Sequence, residues 1–163
     1  LSRFSYRALG EFHAFGEDIE TPVLQRMIEL ARQNNLLLHA HSDADAIERI
    51  FKHYPEAKVL WAHSGFTNPN AVTELLAKHD NLWSDLAFRT DQARGDVVDP
   101  DWRKAFEAFP DRFMIGTDSF APERWYYIKP HADYARRWLS TLPAELDENI
   151  AFRNAERMLE ALD

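Results

Sequence analysis

Four short apolar runs in this chain each end in a side chain that can hold a metal or move a proton. Leu36-Leu37-Leu38-His39-Ala40-His41-Ser42, Lys58-Val59-Leu60-Trp61-Ala62-His63-Ser64-Gly65 and Phe113-Met114-Ile115-Gly116-Thr117-Asp118 share the design, and Ala8-Leu9-Gly10-Glu11-Phe12-His13 adds a carboxylate and a histidine. An apolar run that breaks at a polar residue reads as a buried strand delivering that residue at its C-terminal edge. One such run says little. Four of them, ending in Glu/His, His, His and Asp, point to a site assembled from separate strand ends.

Helix signals fill the intervals. Thr21-Pro22 and Asn68-Pro69 each place a capping residue before a proline at the first helical position, and Asp43 caps another helix. Val23, Leu24, Met27, Ile28 and Ala31 recur at helical spacing, as do Ile47, Ile50, Phe51 and Tyr54, and then Val72, Leu75 and Leu76. Residues 82–87 read as a further strand, and a polar loop over 89–99 leads to a helix from Pro100 carrying Trp102, Ala105, Phe106 and Phe109. An aromatic loop (Phe120, Trp125, Tyr126, Tyr127), a helix over about 131–139 and a helical stretch over 143–162 complete the chain. The strands are thus expected at 7–13, 36–41, 58–63, 82–87 and 113–117.

Five alternations of apolar strand and amphipathic helix mean an α/β class, a parallel sheet covered by helices. No glycine-rich phosphate loop follows the first strand, which counts against a dinucleotide-binding sheet. Polar residues at strand C-terminal ends are instead the pattern of a (β/α)8 TIM barrel, whose eight units take about 250 residues. The 163 residues here match the last five units, strands four to eight, read as one domain over 1–163 with three units missing before it. Residues 1–6 reach the first strand without a start signal of their own, in keeping with an earlier segment.

Composition narrows the chemistry. A hydrophobic content of 45% is ample for a packed core, and the net charge of −8 argues against a nucleic-acid surface or an anionic membrane. The apolar runs are too short for a membrane span or a signal segment, so the expected location is cytoplasmic, or periplasmic if an upstream segment carries a signal. With no cysteine in the chain, any metal must be held by His, Asp or Glu.

The order and context of these strand ends resemble the amidohydrolase superfamily, in particular the metal-dependent hydrolases of the amidohydrolase-related (amidohydrolase 2) type. Glu11 fits that family's fourth-strand position, His41 the fifth, His63 the sixth and Asp118 the eighth. Ile115-Gly116-Thr117-Asp118 looks like its Gly-Thr-Asp ending, and Asn154-Ala155-Glu156-Arg157-Met158-Leu159 like its closing helix. The family's first-strand His-x-His has no counterpart. His39-Ala40-His41 has the right letters, but a strand and a helix precede it, so it reads as the fifth strand.

The resemblance implies a divalent ion, zinc with manganese or iron as alternatives, held by Glu11, His41, His63 and Asp118. A hydrolytic site of this kind keeps one position open for water and lowers that water's pKa to about 7. Asp118 would accept the proton and pass it to the leaving group, and His63 would bind the ion or polarise the substrate carbonyl. His13, His39 and Asp85 read as supports for the ligands. Arg89 and Arg124 are placed to clamp a substrate carboxylate, with Trp125 beside them, or else are solvated loop residues. Each ligand has a plainer role: His63 and His41 as hydrogen-bonded core histidines, Asp118 as a helix cap, Glu11 as partner of a cation.

The function implied is hydrolysis of a C–N or C–O bond in a small amide, ester or lactone. Non-oxidative decarboxylation, which similar enzymes of this fold perform, is the alternative, followed by an incomplete barrel that serves as a binding module. The expected partners are a small-molecule substrate and, for the two open sheet edges, a second copy of the chain or a barrel-completing N-terminal segment.

Overall fold

The apolar spacing produces the expected alternation. The computed structural model describes residues 5–162. Its main sheet runs, in spatial order, β1 (Ala8–His13), β2 (Leu37–His41), β3 (Val59–Trp61), β4 (Leu82–Asp85) and β7 (Phe113–Met114), with every pairing parallel. Residues 1–4 of the expected lead-in and residue 163 lie outside the described residues. Because each strand joins beside the one before it, the sheet grows as a barrel wall does. A doubly wound sheet would reverse its order at a switch point.

Helices α1 (Pro22–Asn34), α2 (Ala44–His53), α3 (Pro69–Lys78), α4 (Pro100–Ala108) and α5 (Ile128–Leu139) link or follow the strands. The stretch over 89–99, expected as loop, contains a small antiparallel hairpin of β5 (Ala93–Arg94) and β6 (Val97–Val98). The caps act locally as their chemistry dictates. Asp43 accepts the Ala46 N–H at 2.9 Å, Asn68 that of Ala71 at 3.0 Å, and Asp99 that of Asp101 at 2.9 Å, each satisfying a donor the helix leaves orphaned. Thr21 stands at the cap position of α1, but its hydroxyl donates to the Asp18 carbonyl instead. Val23, expected in the buried stripe of α1, is 75% exposed; Ile28 and Ala31 carry the burial.

The sheet has two unlike faces. Leu38, Ala40, Val59, Trp61, Leu82 and Phe113 belong to the large core shared with the helices, where Trp102, Phe106 and Trp138 are fully buried. The opposite face, the one a closed barrel would turn inward, carries Leu37, Leu60, Trp83 and Met114, packed against Met158 and Leu162. Met158 lies on, and Leu162 just beyond, α7 (Asn154–Glu160), which continues from α6 (Ala144–Glu148) through a π-helical turn (Asn149–Arg153). Asn154 is the fastener: its amide donates to the Pro110 and Phe113 carbonyls at 3.0 and 2.8 Å, and Arg157 bonds to its oxygen at 2.9 Å. The chain before β1 and β3 then holds the far end of α7, with Arg7 donating to the Leu159 carbonyl and Lys58 to that of Ala161. The closing helix therefore crosses the N-terminal end of the sheet and leaves the C-terminal end free. Among the described residues no helix is long and apolar enough to cross a membrane.

Candidate metal centre

Glu11 owes its direction to an irregularity in β1. Gly10 pairs with His39 and Phe12 with Ala40, so Glu11 is an extra residue without a partner, a β-bulge. The bulge resets the alternation: Leu9 and Phe12 pack toward the helix core while Glu11 and His13 line the same cavity as His41. Gly10 permits this at φ +143°, where an added Cβ would lie 2.3 Å from the His39 carbonyl oxygen.

His63 is not on a strand. Residues 58–63 were expected as one extended run, but β3 ends at Trp61, and His63, Ser64, Gly65 and Phe66 follow with φ of 56°, 51°, 58° and 50°. A left-handed conformation costs a non-glycine residue roughly 1–2 kcal/mol, so the turn needs outside support. Asp85 accepts the His63 N–H at 2.9 Å, and the Ser64 hydroxyl donates to the Asp85 carbonyl at 2.9 Å. The buried guanidinium of Arg89 donates to the His63 and Thr67 carbonyls at 3.0 and 2.8 Å. Arg89 is itself fixed by two bonds to Asp91 and by stacking 4.5 Å over Trp102. Arg89 thus corrects both expectations held for it: buried and fully engaged, it is neither a substrate clamp nor a solvated loop residue.

The turn sets the histidine's chemistry. His63 Nδ1 lies 3.0 Å from the Ala87 carbonyl, which can only accept, so Nδ1 carries the proton and Nε2 the lone pair. Nε2 is buried and has no hydrogen-bond partner; it faces Glu11 Oε1 at 3.4 Å and Asp118 Oδ2 at 3.8 Å. His41 Nδ1 lies 2.9 Å from the same Glu11 oxygen. One donor atom each from Glu11, His41 and His63 lie within 4.8 Å of one another, the compactness a single ion requires. A buried imidazole lone pair with nothing to accept, beside two carboxylates, fits a divalent cation.

Asp118 adjoins the trio from the His63 side. Its backbone is left-handed at φ 46°, and Ala121 rather than Asp118 stands at the cap of the helical turn that follows. The cavity over these groups has a volume of about 620 Å³ and is walled by Phe66, Phe88 and Phe120. Phe66 stacks on His63 at 4.9 Å and Phe88 meets it edge-on at 5.7 Å. These aromatic walls were not foreseen; the Ser64-Gly65 break was the signal that the backbone would turn there and carry Phe66 back over the histidine.

The supporting residues fall around the trio. His13 is largely exposed and stacks on His41 at 4.0 Å. His39, one layer deeper, lies 3.4 Å from Asp85. Burial by itself would lower the His39 pKa, but the hydrogen bond and charge of Asp85, helped by Glu11 and Asp118, raise it above the ordinary imidazole value. Trp125 is 60% exposed and does not line the cavity. Arg124 stacks on Phe88, behind the cavity wall.

A family model described as Amidohydrolase matches residues 6–161. The chain belongs to the amidohydrolase family. Solved structures agree with that membership at the level of fold. An uncharacterised TIM-barrel protein from Bordetella bronchiseptica superposes with a TM-score of 0.64 at 19% identity, over 88% of this chain and 52% of its own. An amidohydrolase from Burkholderia multivorans with bound zinc gives 0.59 at 18%, over 88% and 59%. A 2,6-dihydroxybenzoate decarboxylase gives 0.59 at 12%, over 87% and 56%. No curated protein sequence matches this amidohydrolase chain. It spans between half and two thirds of the length of these structures, as expected for a partial barrel.

Proposed function

We propose that this chain carries the metal-binding side of a hydrolase that cleaves a C–N or C–O bond in a small amide, ester or lactone. The observation that carries the reading is the buried, unpartnered Nε2 of His63, held within reach of Glu11 and His41 by a backbone that is strained to put it there. Glu11, His41 and His63 hold the ion, zinc being favoured by imidazole and carboxylate donors in a compact trio. A divalent ion supplies a Lewis acid and, at neutral pH, a water nucleophile.

The chain's own groups do the rest. Asp118, 3.8 Å from His63 Nε2 at the cavity edge, takes the proton of the attacking water and returns it to the leaving group. His63 keeps its Nδ1 proton on the Ala87 carbonyl throughout, so its other nitrogen stays available. Phe66, Phe88 and Phe120 give the cavity apolar walls beside these polar groups. The free edges of β1 and β7 take further strands, from the same polypeptide or from a second copy, to complete the wall.

Zinc content measured after zinc or manganese supplementation and dialysis tests the site, with His41→Ala and Asp118→Ala as comparisons. The reading fails if the unmutated chain retains no divalent ion. Turnover of ester, lactone and amide panels, run beside carbon dioxide release from unsaturated acids, then separates hydrolysis from decarboxylation.

A further inference from the structure

Past the end of the sheet, β4 and β7 run on into two segments that flank His63. The Leu86 N–H donates to the Met114 carbonyl at 2.9 Å, and among the described residues no backbone bond joins the two segments beyond that point. Side chains bring them together instead. At the base, a Cβ on Gly116 would stand 2.9 Å from the Ala87 methyl, and buried His131 of α5 bonds to the Gly116 backbone. At the tip, the guanidinium of Arg124 lies 3.8 Å over the Phe88 ring, with Tyr127 at 5.6 Å and Phe120 at 6.0 Å.

Each side of that tip contact carries part of the site. Ala87 gives its carbonyl to His63 Nδ1, and Phe88 meets the His63 ring edge-on at 5.7 Å. Asp118 and Phe120 belong to the segment that ends in Arg124, with Asp118 Oδ2 3.8 Å from His63 Nε2. Both segments bend through left-handed residues, Phe88 at φ 59° and Asp118 at φ 46°. Conformations of that kind persist only where the surroundings hold them. Arg124 is partly buried and its Nε has no hydrogen-bond partner, so aromatic faces, rather than an acceptor, engage that part of the guanidinium.

We infer that Arg124 is a positioning residue: stacked on Phe88, it straps the Asp118 segment to the segment that holds His63, and so keeps the Asp118 carboxylate facing Nε2. The inference rests on the reading of Asp118 as the proton carrier. It places the action of Arg124 behind the cavity wall, on the protein's own groups. A planar guanidinium covers the ring as a compact ammonium does not, so lysine replaces it only in part.

Chymotrypsin cleaves after aromatic residues, and the strapped segment offers it Phe120, Trp125, Tyr126 and Tyr127. On the metal-free chain under native conditions, cleavage there, timed by mass spectrometry, should quicken about tenfold in Arg124→Met, the size of a partly desolvated cation–π contact. Arg124→Lys should fall between the two. Phe88→Leu should match Arg124→Met, and the double variant should add little, because both remove one contact. On the zinc-loaded chain, ester or lactone turnover in Arg124→Met should lose kcat with KM little changed, and lose nothing more in an Asp118→Asn background. Zinc content and circular dichroism should stay near those of the unmutated chain. Unchanged cleavage in Arg124→Met, or additive effects of Arg124→Met and Phe88→Leu, overturns the strap. Faster cleavage with kcat unchanged, or a full further loss in the Asp118→Asn background, overturns its bearing on Asp118. Failure of the metal-site reading shows separately, as a chain that retains no zinc; the metal-free cleavage then decides the strap by itself.

Discussion

His63 donates its Nδ1 proton to the carbonyl of Ala87 at 3.0 Å, and this single bond decides which imidazole nitrogen faces Glu11. Nothing about the histidine itself requires that choice. The left-handed turn puts Nδ1 against the backbone after β4, and Nε2 is left as a buried lone pair.

The first prediction concerns that lone pair. His63→Ala removes the one donor that has no competing partner, so the retained zinc should fall from about one equivalent to near zero. His13→Ala removes a largely exposed ring that stacks on His41 and lies 3.8 Å from Glu11 at the outer side of the trio, and zinc content should fall far less than in His63→Ala. Metal analysis after dialysis distinguishes the two, and equal loss in both variants would remove His63 from its special place.

A second prediction follows from Arg89, which touches no substrate cavity yet braces the turn through the His63 and Thr67 carbonyls. Lysine offers a point charge where the site uses a planar fork bonded in several directions. Arg89→Lys should therefore lower zinc affinity by roughly 10–100-fold, the usual cost of disturbing groups that orient a ligand. Circular dichroism should remain native, and a cobalt-loaded sample should show an altered visible spectrum. Unchanged affinity and spectrum would mean the turn holds without its brace.

Much of this arrangement was legible in the sequence, and the parts that were not share a cause. The alternation of Leu38, Ala40 and Val59 with the helix stripes around Ile47 and Leu75 is a periodic signal, and it produced the right sheet and helices. The positions of Glu11, His41, His63 and Asp118 near one mouth could be anticipated because strand ends in a β/α unit share an edge. What periodicity does not encode is aperiodic backbone. The bulge at Glu11, the left-handed run from His63 to Phe66 and the early ends of β3 and β7 arise from local contacts made only after folding. The place of Arg89 was missed for the same reason, since the His63 and Thr67 carbonyls that it braces come within its reach only once the turn has formed.

Gly65 supplies a third prediction, on stability. At φ +58°, a Cβ there would stand 2.3 Å from the Trp61 indole, and Trp61 is fully buried with its Nε1 donating to the Ser42 carbonyl at 2.7 Å. Gly65→Ala adds the left-handed penalty of about 1–2 kcal/mol to a clash that the anchored indole cannot easily relieve. Denaturant unfolding should show a loss of about 2 kcal/mol or more. The same substitution at Gly95, also at positive φ but with open space around it, should cost only the backbone part.

The last prediction concerns pH and the Arg89–Asp91 pair. Burial would raise the Asp91 pKa, but hydrogen bonds from Arg89 and Trp102 together with the Arg89 charge outweigh it, and the carboxyl sits below its ordinary value of 3.8. A carboxyl whose folded pKa is depressed contributes stability that is present above the unfolded pKa and lost as pH falls through the folded one. The contribution of Asp91 should therefore be complete near neutrality and fade in the acid range below about pH 4. Its side chain is 54% exposed, so solvent screening limits the gain to no more than about 1 kcal/mol. Asp91→Asn should lower stability near neutrality by that order, and the difference from the unmutated chain should shrink as the medium is made acid. If the difference stayed constant across that range, the charge of Asp91 would not be what steadies Arg89, and the bracing of His63 would rest on the carbonyl bonds alone.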